Sequence, residues 1–196
     1  MESIKINGEE WTAPIQNSLK MTELVELIKS TIDPSQIITG ILLNGKDLEE
    51  ADWNGYVSDY QTNVLEIETD TLEHYIEDRI SLCPNIITQC YLQFRRARKL
   101  FQNGESFDAN KKLVDATKAL KSFFDWYSTL LTLMTDEQKE KYDLKDHVEK
   151  IFETCKKVCQ QQLYQSWWAL GELLEKELEP ELDDLEDVLI KNTKEN

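Results

Sequence analysis

The chain has 196 residues, 38 of them acidic and 22 basic, for a formal net charge of −16 at pH 7. A surface this negative keeps a protein in solution and repels phosphate backbones and anionic lipid, which argues against nucleic acid or a membrane as partner. The acid is uneven: residues 1–71 carry 14 Asp or Glu against four Lys, and residues 72–196 carry 24 against 18 basic residues, so a basic partner would feel the first segment most strongly.

Met1–Lys5 lacks the basic start and apolar core of a signal peptide, and no stretch approaches the roughly 18 apolar residues that span a bilayer. The expected location is the cytoplasm, where Cys83, Cys90, Cys155 and Cys159 are expected to stay as free thiols. At this length the chain can form two small domains, each with its own core. The pattern changes near residue 70, which predicts a first domain over 1–70 and a second over 71–196.

Residues 3–13 alternate around Asn7-Gly8, a dipeptide that accepts the positive φ angles of a tight turn, and predict a β-hairpin. Met21, Leu24, Val25 and Ile28 then fall on one helical face, with Thr22 as the expected N-cap. Ile37 to Leu43 is a near-continuous apolar run ended by Asn44-Gly45, the pattern of a strand buried on both faces. Val64 to Glu68 alternates again as a closing strand. The order is ββαβ, a loop, then β.

That order in about 70 residues resembles the β-grasp fold of ubiquitin and of the small sulfur carriers of thiamine and molybdopterin synthesis. The hairpin Ile4 to Trp11, the helix Thr22 to Ile28, the strand into Asn44-Gly45-Lys46-Asp47-Leu48 and the terminal Leu65-Glu66-Ile67 fall where that family has its elements. Those carriers end in a free Gly-Gly carboxylate, whereas here Glu66-Ile67-Glu68-Thr69-Asp70 runs on into further chain. The resemblance thus implies a module that docks through its sheet, not conjugation or sulfur carriage. The other reading is that the strands simply close a small domain.

From Asp70, whose spacing to Glu73 resembles a capping box, helical periodicity takes over. An apolar stripe runs from Leu72 to Phe101, interrupted by Pro84, which predicts a kink or two consecutive helices. A second helix is predicted from Ser106 to Met134, and Thr135 to Gln138 offers another capping box. Leu144 to Leu174 reads as one long helix, and Pro180 as the start of a shorter one. Short connections imply an antiparallel bundle of three long helices and one short, so the predicted class is α+β, a β-grasp-like domain followed by that bundle. Ala97 to Ala109 looks like the turn of a tetratricopeptide repeat, but no second copy follows. The helix lengths are also similar to those of bundle chaperones that escort flagellin.

Arg95, Arg96, Arg98 and Lys99 end the first long helix, where positive charge complements the helix dipole. In such a bundle they lie near the acidic run that includes Glu172, Glu175, Glu177 and Glu179. Two readings follow: solvated faces in loose attraction, or a phosphate or acidic-peptide site at the basic cluster. Tyr164, Trp167 and Trp168 form an aromatic group, and adjacent helical positions point about 100° apart, so Trp167 joins the apolar stripe while Trp168 leans off it. Either Trp168 and Tyr164 anchor a partner, or Trp168 packs beneath another element, with Trp53 and Tyr56 as candidates for the far side of that junction.

No nucleophile elbow, zinc-protease helix or phosphate-cradling glycine loop is present, and only six glycines occur in all. The two histidines, His74 and His147, lack local ligand spacing, and the Glu-x-x-His pairs of di-iron bundles are missing. No catalytic residue, cofactor or metal is therefore assigned. The expected function is non-enzymatic binding of a protein partner, basic or an amphipathic helix, through the sheet face or a helical groove. The candidate contact residues are Tyr164, Trp168, Arg95, Arg96, Arg98 and Lys99. One alternative is a secretion or flagellar chaperone that shields a client helix. Another is a metal or redox sensor built on the four cysteines, which lie seven and four residues apart in two pairs, unlike the knuckles of structural zinc sites.

Overall fold

A computed structural model describes residues 1–14 and 18–194. The chain divides into two compact units, Met1–Tyr75 and Ile76–Asn196.

The first unit is a five-stranded mixed sheet with one helix against it. Strands β1 (Ser3–Ile6) and β2 (Glu9–Glu10) form the opening hairpin, followed by helix α1 (Met21–Lys29), then β3 (Gln36–Leu43), β4 (Lys46–Asp47) and β5 (Val64–Thr71). The sheet order is β2-β1-β5-β3-β4, with β1 and β5 parallel and the other pairs antiparallel. Asn7-Gly8 makes the expected tight turn, with φ of 49° and 84°, and Asn44-Gly45, expected only to end a strand, turns β3 back into β4 with φ of 53° and 74°. Each turn asparagine also binds β5: Asn7 Oδ1 accepts from the Thr69 N–H at 2.8 Å, and Asn44 Oδ1 from the Val64 N–H at 2.9 Å. Ile4, Leu65 and Ile67 from the sheet and Met21, Leu24 and Ile28 from α1 form the core, with Val57 from the long loop before β5.

Three expectations change here. Lys20, not Thr22, precedes the first helical residue, and its N–H donates to the Glu23 carboxylate at 2.8 Å. β3 is half-buried at every position and not buried on both faces. Its run reads as continuous because the pairing with β5 slips between Ile38 and Gly40, so that Ile38, Ile41 and Leu43 all pack on the core although strict alternation would part the first from the other two. The helix after β5 is capped by Thr71, whose Oγ1 accepts the His74 N–H at 3.2 Å, while Asp70 bonds the His74 ring at 2.5 Å.

That helix, α2, runs unbroken from Leu72 to Gln102 with Pro84 inside it. It is followed by α3 (Ser106–Thr132), α4 (Asp136–Lys141), α5 (Lys145–Leu163), α6 (Trp167–Leu173), one π-helical turn (Leu174–Leu178) and α7 (Glu179–Lys194). Gly104, at φ 82°, ends α2: the Glu105 N–H reaches back to Leu100 and the Gly104 N–H to Phe101. Thr135 and Gln138 exchange the two bonds of a capping box ahead of α4.

The single helix expected over Leu144 to Leu174 breaks at Gln165, and the chain is continuous where Pro180 was expected to start a new helix. Gln165 sits at φ 55°, the Ser166 N–H bonds the Gln161 carbonyl and the Gln165 N–H bonds Gln162, the same closing motif as at Gly104 but built on a residue that does not advertise it. Pro180 is accommodated because the preceding turn is widened: the Glu179 N–H bonds Leu174, five residues back. In an ordinary α-helix the proline ring would collide with the carbonyl four residues earlier.

Candidate interaction surface

In the helical unit, α3 bonds to α5 at one end and to the turn that leads into α5 at the other. Near one end the Tyr127 hydroxyl donates to the Tyr142 carbonyl at 2.7 Å, and near the other the Gln162 amide donates to Asn110 at 2.8 Å. Ile151, Thr154 and Val158 are the buried positions of α5. A second row on the same helix, Val148, Phe152, Cys155 and Cys159, faces an open groove of about 710 Å³ whose other wall is Thr117, Leu120, Lys121 and Phe124 of α3. A smaller hollow of about 190 Å³ continues it past Leu113, Val114, Lys118 and Gln162. Phe152 is 58% exposed and floors no interior. At the end marked by Asn110 and Gln162, Phe107 and Leu163 are 84% and 82% exposed. Phe107 lies two helical turns, seven residues, before Val114, and Leu163 four residues after Cys159, so the apolar strip continues beyond the groove.

The aromatic residues singled out in the sequence stand beside this groove and do not line it. Tyr164 and Trp168 are 78% and 75% exposed, flanking the turn at Gln165, while Trp167 stacks on Phe101 with ring centres 5.7 Å apart. Trp168 therefore leans away from the apolar stripe. Trp53 is half-buried and Tyr56 is exposed in the first unit.

The basic cluster is split. Arg95, Arg96 and Lys99 are exposed, whereas Arg98 is buried. Its Nε donates to Glu179 at 2.6 Å and its Nη1 to Glu175 at 2.8 Å. Glu179 is itself buried. An arginine held on both edges by carboxylates of the same chain has no face left for a phosphate or a peptide. The arrangement is neither of the two the sequence suggested: the attraction between basic and acidic runs is real but concentrated in one desolvated pair.

The thiols differ sharply in environment. Cys83 and Cys90 are buried on α2, Cys155 is half-buried and Cys159 exposed on α5. Burial pushes the Cys83 thiol up to about 12 and the Cys155 thiol to about 11, the latter helped by Cys159 nearby. Among the described residues, no cysteine belongs to a group of three His, Cys, Asp or Glu side chains close enough to share an ion.

The groove was present in the sequence as an excess of apolar positions. On α5, residues 148, 151, 152, 155, 158 and 159 span more than one face of a helix needs for a single neighbour. The sequence places all six on one long helix and does not say which of them a neighbour covers. The surplus row is the one left uncovered.

In comparisons with known proteins, no family model, no curated protein and no solved structure matches the chain.

Proposed function

We propose that the protein is a non-enzymatic binding module whose helical unit receives an amphipathic helix in the groove between α3 and α5. The observation that carries this reading is the uncovered apolar row Val148, Phe152, Cys155 and Cys159 opposite Leu120 and Phe124. Contiguous apolar surface costs free energy in water at roughly 25 cal/mol per Å² and is retained on soluble proteins chiefly where something covers it. Positions at three-to-four spacing on two neighbouring helices offer the holes into which a third helix sets its ridges. Residues rise in number along α5 as they fall along α3 from one end contact to the other, which supports the antiparallel arrangement expected for a bundle.

The strand order of the first unit supports the β-grasp reading, and its continuation into α2 is consistent with a docking module in place of a conjugated tag. Its open face carries Glu66 beside Lys5 and Leu42 in the paired register. An export-type chaperone would use the same groove, but with a client that leaves. The groove reading is tested with a helix-forming peptide bearing Leu at three-to-four spacing and Gln elsewhere, followed by fluorescence anisotropy on the full chain. Binding is expected, and Phe152→Asp and Val148→Asp should weaken it at least tenfold, a change of about 1.4 kcal/mol. An unchanged affinity in both variants would remove the groove as the docking site.

A further inference from the structure

The charge around the groove runs against that of the chain. Among the described residues, Lys118, Lys121 and Lys156 are the charged residues lining its two hollows, and no aspartate or glutamate lines either one. Lys156 lies over the Phe152 ring with its nitrogen 4.5 Å from the centroid. Lys121 and Lys156 each meet an acid of their own helix, Asp125 at 2.5 Å and Glu153 at 2.6 Å, but both pairs are solvent-exposed. Such pairs are worth little and exchange readily for another carboxylate. An apolar floor with a basic rim is therefore set into a chain of net charge −16.

Resting on the groove reading above, we infer that the occupant is an amphipathic helix whose apolar stripe is flanked by glutamate or aspartate. Length fits a helix of a few turns: Val148 to Gln162 spans about 21 Å at roughly 1.5 Å per residue, the reach of about 14 helical residues. Charge fits the sign. Lysines on both walls, Lys118 and Lys121 on one and Lys156 on the other, bracket a helix laid between them, so acids on both flanks of its stripe find partners. A basic helix would be drawn to the acidic remainder of the molecule and repelled at the groove itself. The rim thus selects among helices that the apolar floor alone would accept equally, since complementary charge discriminates between partners more than it adds raw affinity.

Cys159 supplies a reporter already in place. It lines both hollows and is exposed, whereas Cys155 is half-buried with its thiol held near 11 and the two α2 thiols are buried. Three peptides of 14 residues with one Leu stripe, flanked by Glu, Gln or Lys, are titrated onto the full chain. Anisotropy gives each Kd, and mass spectrometry follows iodoacetamide labelling of Cys159. The Glu peptide is expected to bind about tenfold more tightly than the Lys peptide, to lose that advantage in high salt and to slow labelling of Cys159. The chain carrying Lys118→Glu, Lys121→Glu and Lys156→Glu should invert the order while its far-ultraviolet circular dichroism is unchanged. Equal affinities, or a preference for the Lys peptide, would overturn the charge selection while leaving the groove occupied. Failure of all three peptides to protect Cys159 would overturn the groove reading itself, and protection by oleate in place of every peptide would assign the groove to an acyl chain.

Discussion

The two units treat their apolar residues in opposite ways. In the sheet unit a slipped register turns three isoleucines and leucines of β3 toward one core, and no described large apolar side chain there is more than half exposed. In the helical unit, five such side chains exceed that level: Phe107, Phe152, Leu163, Tyr164 and Trp168. A strand has a period of two, so a surplus apolar residue can be folded inward by one bulge. A regular helix such as α5 offers no such correction, because widening its apolar stripe only adds a second face that needs a neighbour of its own. What a sheet absorbs, a helix displays.

The difference can be broken from the inside first. Arg98→Ala strands the buried Glu179 carboxylate and should cost about 3–5 kcal/mol in urea unfolding, whereas replacing both partners, Arg98→Met with Glu179→Leu, should recover most of the loss. Leu65→Ala opens a cavity in the sheet core and should cost about 2–5 kcal/mol. Hydrogen exchange should then show faster opening across β1, β3 and β5 with α3 and α5 unaffected. Equal loosening of both would mean the units do not hold separate cores.

Smaller changes sharpen the helical side. Thr154 donates to Glu181 Oε1 at 2.9 Å, and the other oxygen of that carboxylate is buried without a partner. Burial raises the Glu181 carboxyl above its usual range, against the pull of the Thr154 bond. The folded state therefore holds this proton more tightly than the unfolded one, and stability from this group falls as pH climbs from the ordinary carboxylate range through the raised one. Thr154→Val should cost about 1–3 kcal/mol at pH 7 and visibly less at pH 4, where the carboxyl is protonated. Gln165→Gly should raise the melting temperature slightly, by up to about 1 kcal/mol of stability, because glycine occupies a positive φ without strain. Phe152→Ser should stay within about 0.5 kcal/mol of the parent in the absence of a partner.

Turns were legible where the residue that makes them also names them. Asn7-Gly8, Asn44-Gly45 and Gly104 take positive φ, a geometry that glycine and asparagine announce in the chain. Gln165 takes the same geometry with a side chain that ordinarily continues a helix, so the reversal between α5 and α6 was invisible. Pro180 misleads in the other direction, since a proline in a helical pattern reads as a break, whereas here it follows a widened turn and Pro84 likewise lies inside α2. The bulge in β3 leaves an apolar run in place of alternation, and such a run has the pattern of burial on both faces. The groove was written as too many apolar positions on α5, a count whose meaning depends on how many neighbours the helix finds, which no local pattern states.

The widened turn at Leu174–Leu178 makes the last helix sensitive to its own length. Leu170, Leu174, Leu178 and Leu182 follow one another at steps of four and are all fully buried, a spacing that would creep around a regular helix by about 40° per step. The extra residue in the turn cancels that creep and lets Glu179 and Leu185 keep their bearings. Lys176 is exposed and contributes nothing to the interior. Yet excising it would tighten the turn to an ordinary one, and the Pro180 ring would then meet the carbonyl four residues before it. A residue that touches nothing inside the molecule thus gives the proline the room it needs for the 16 residues of α7 to follow without a break.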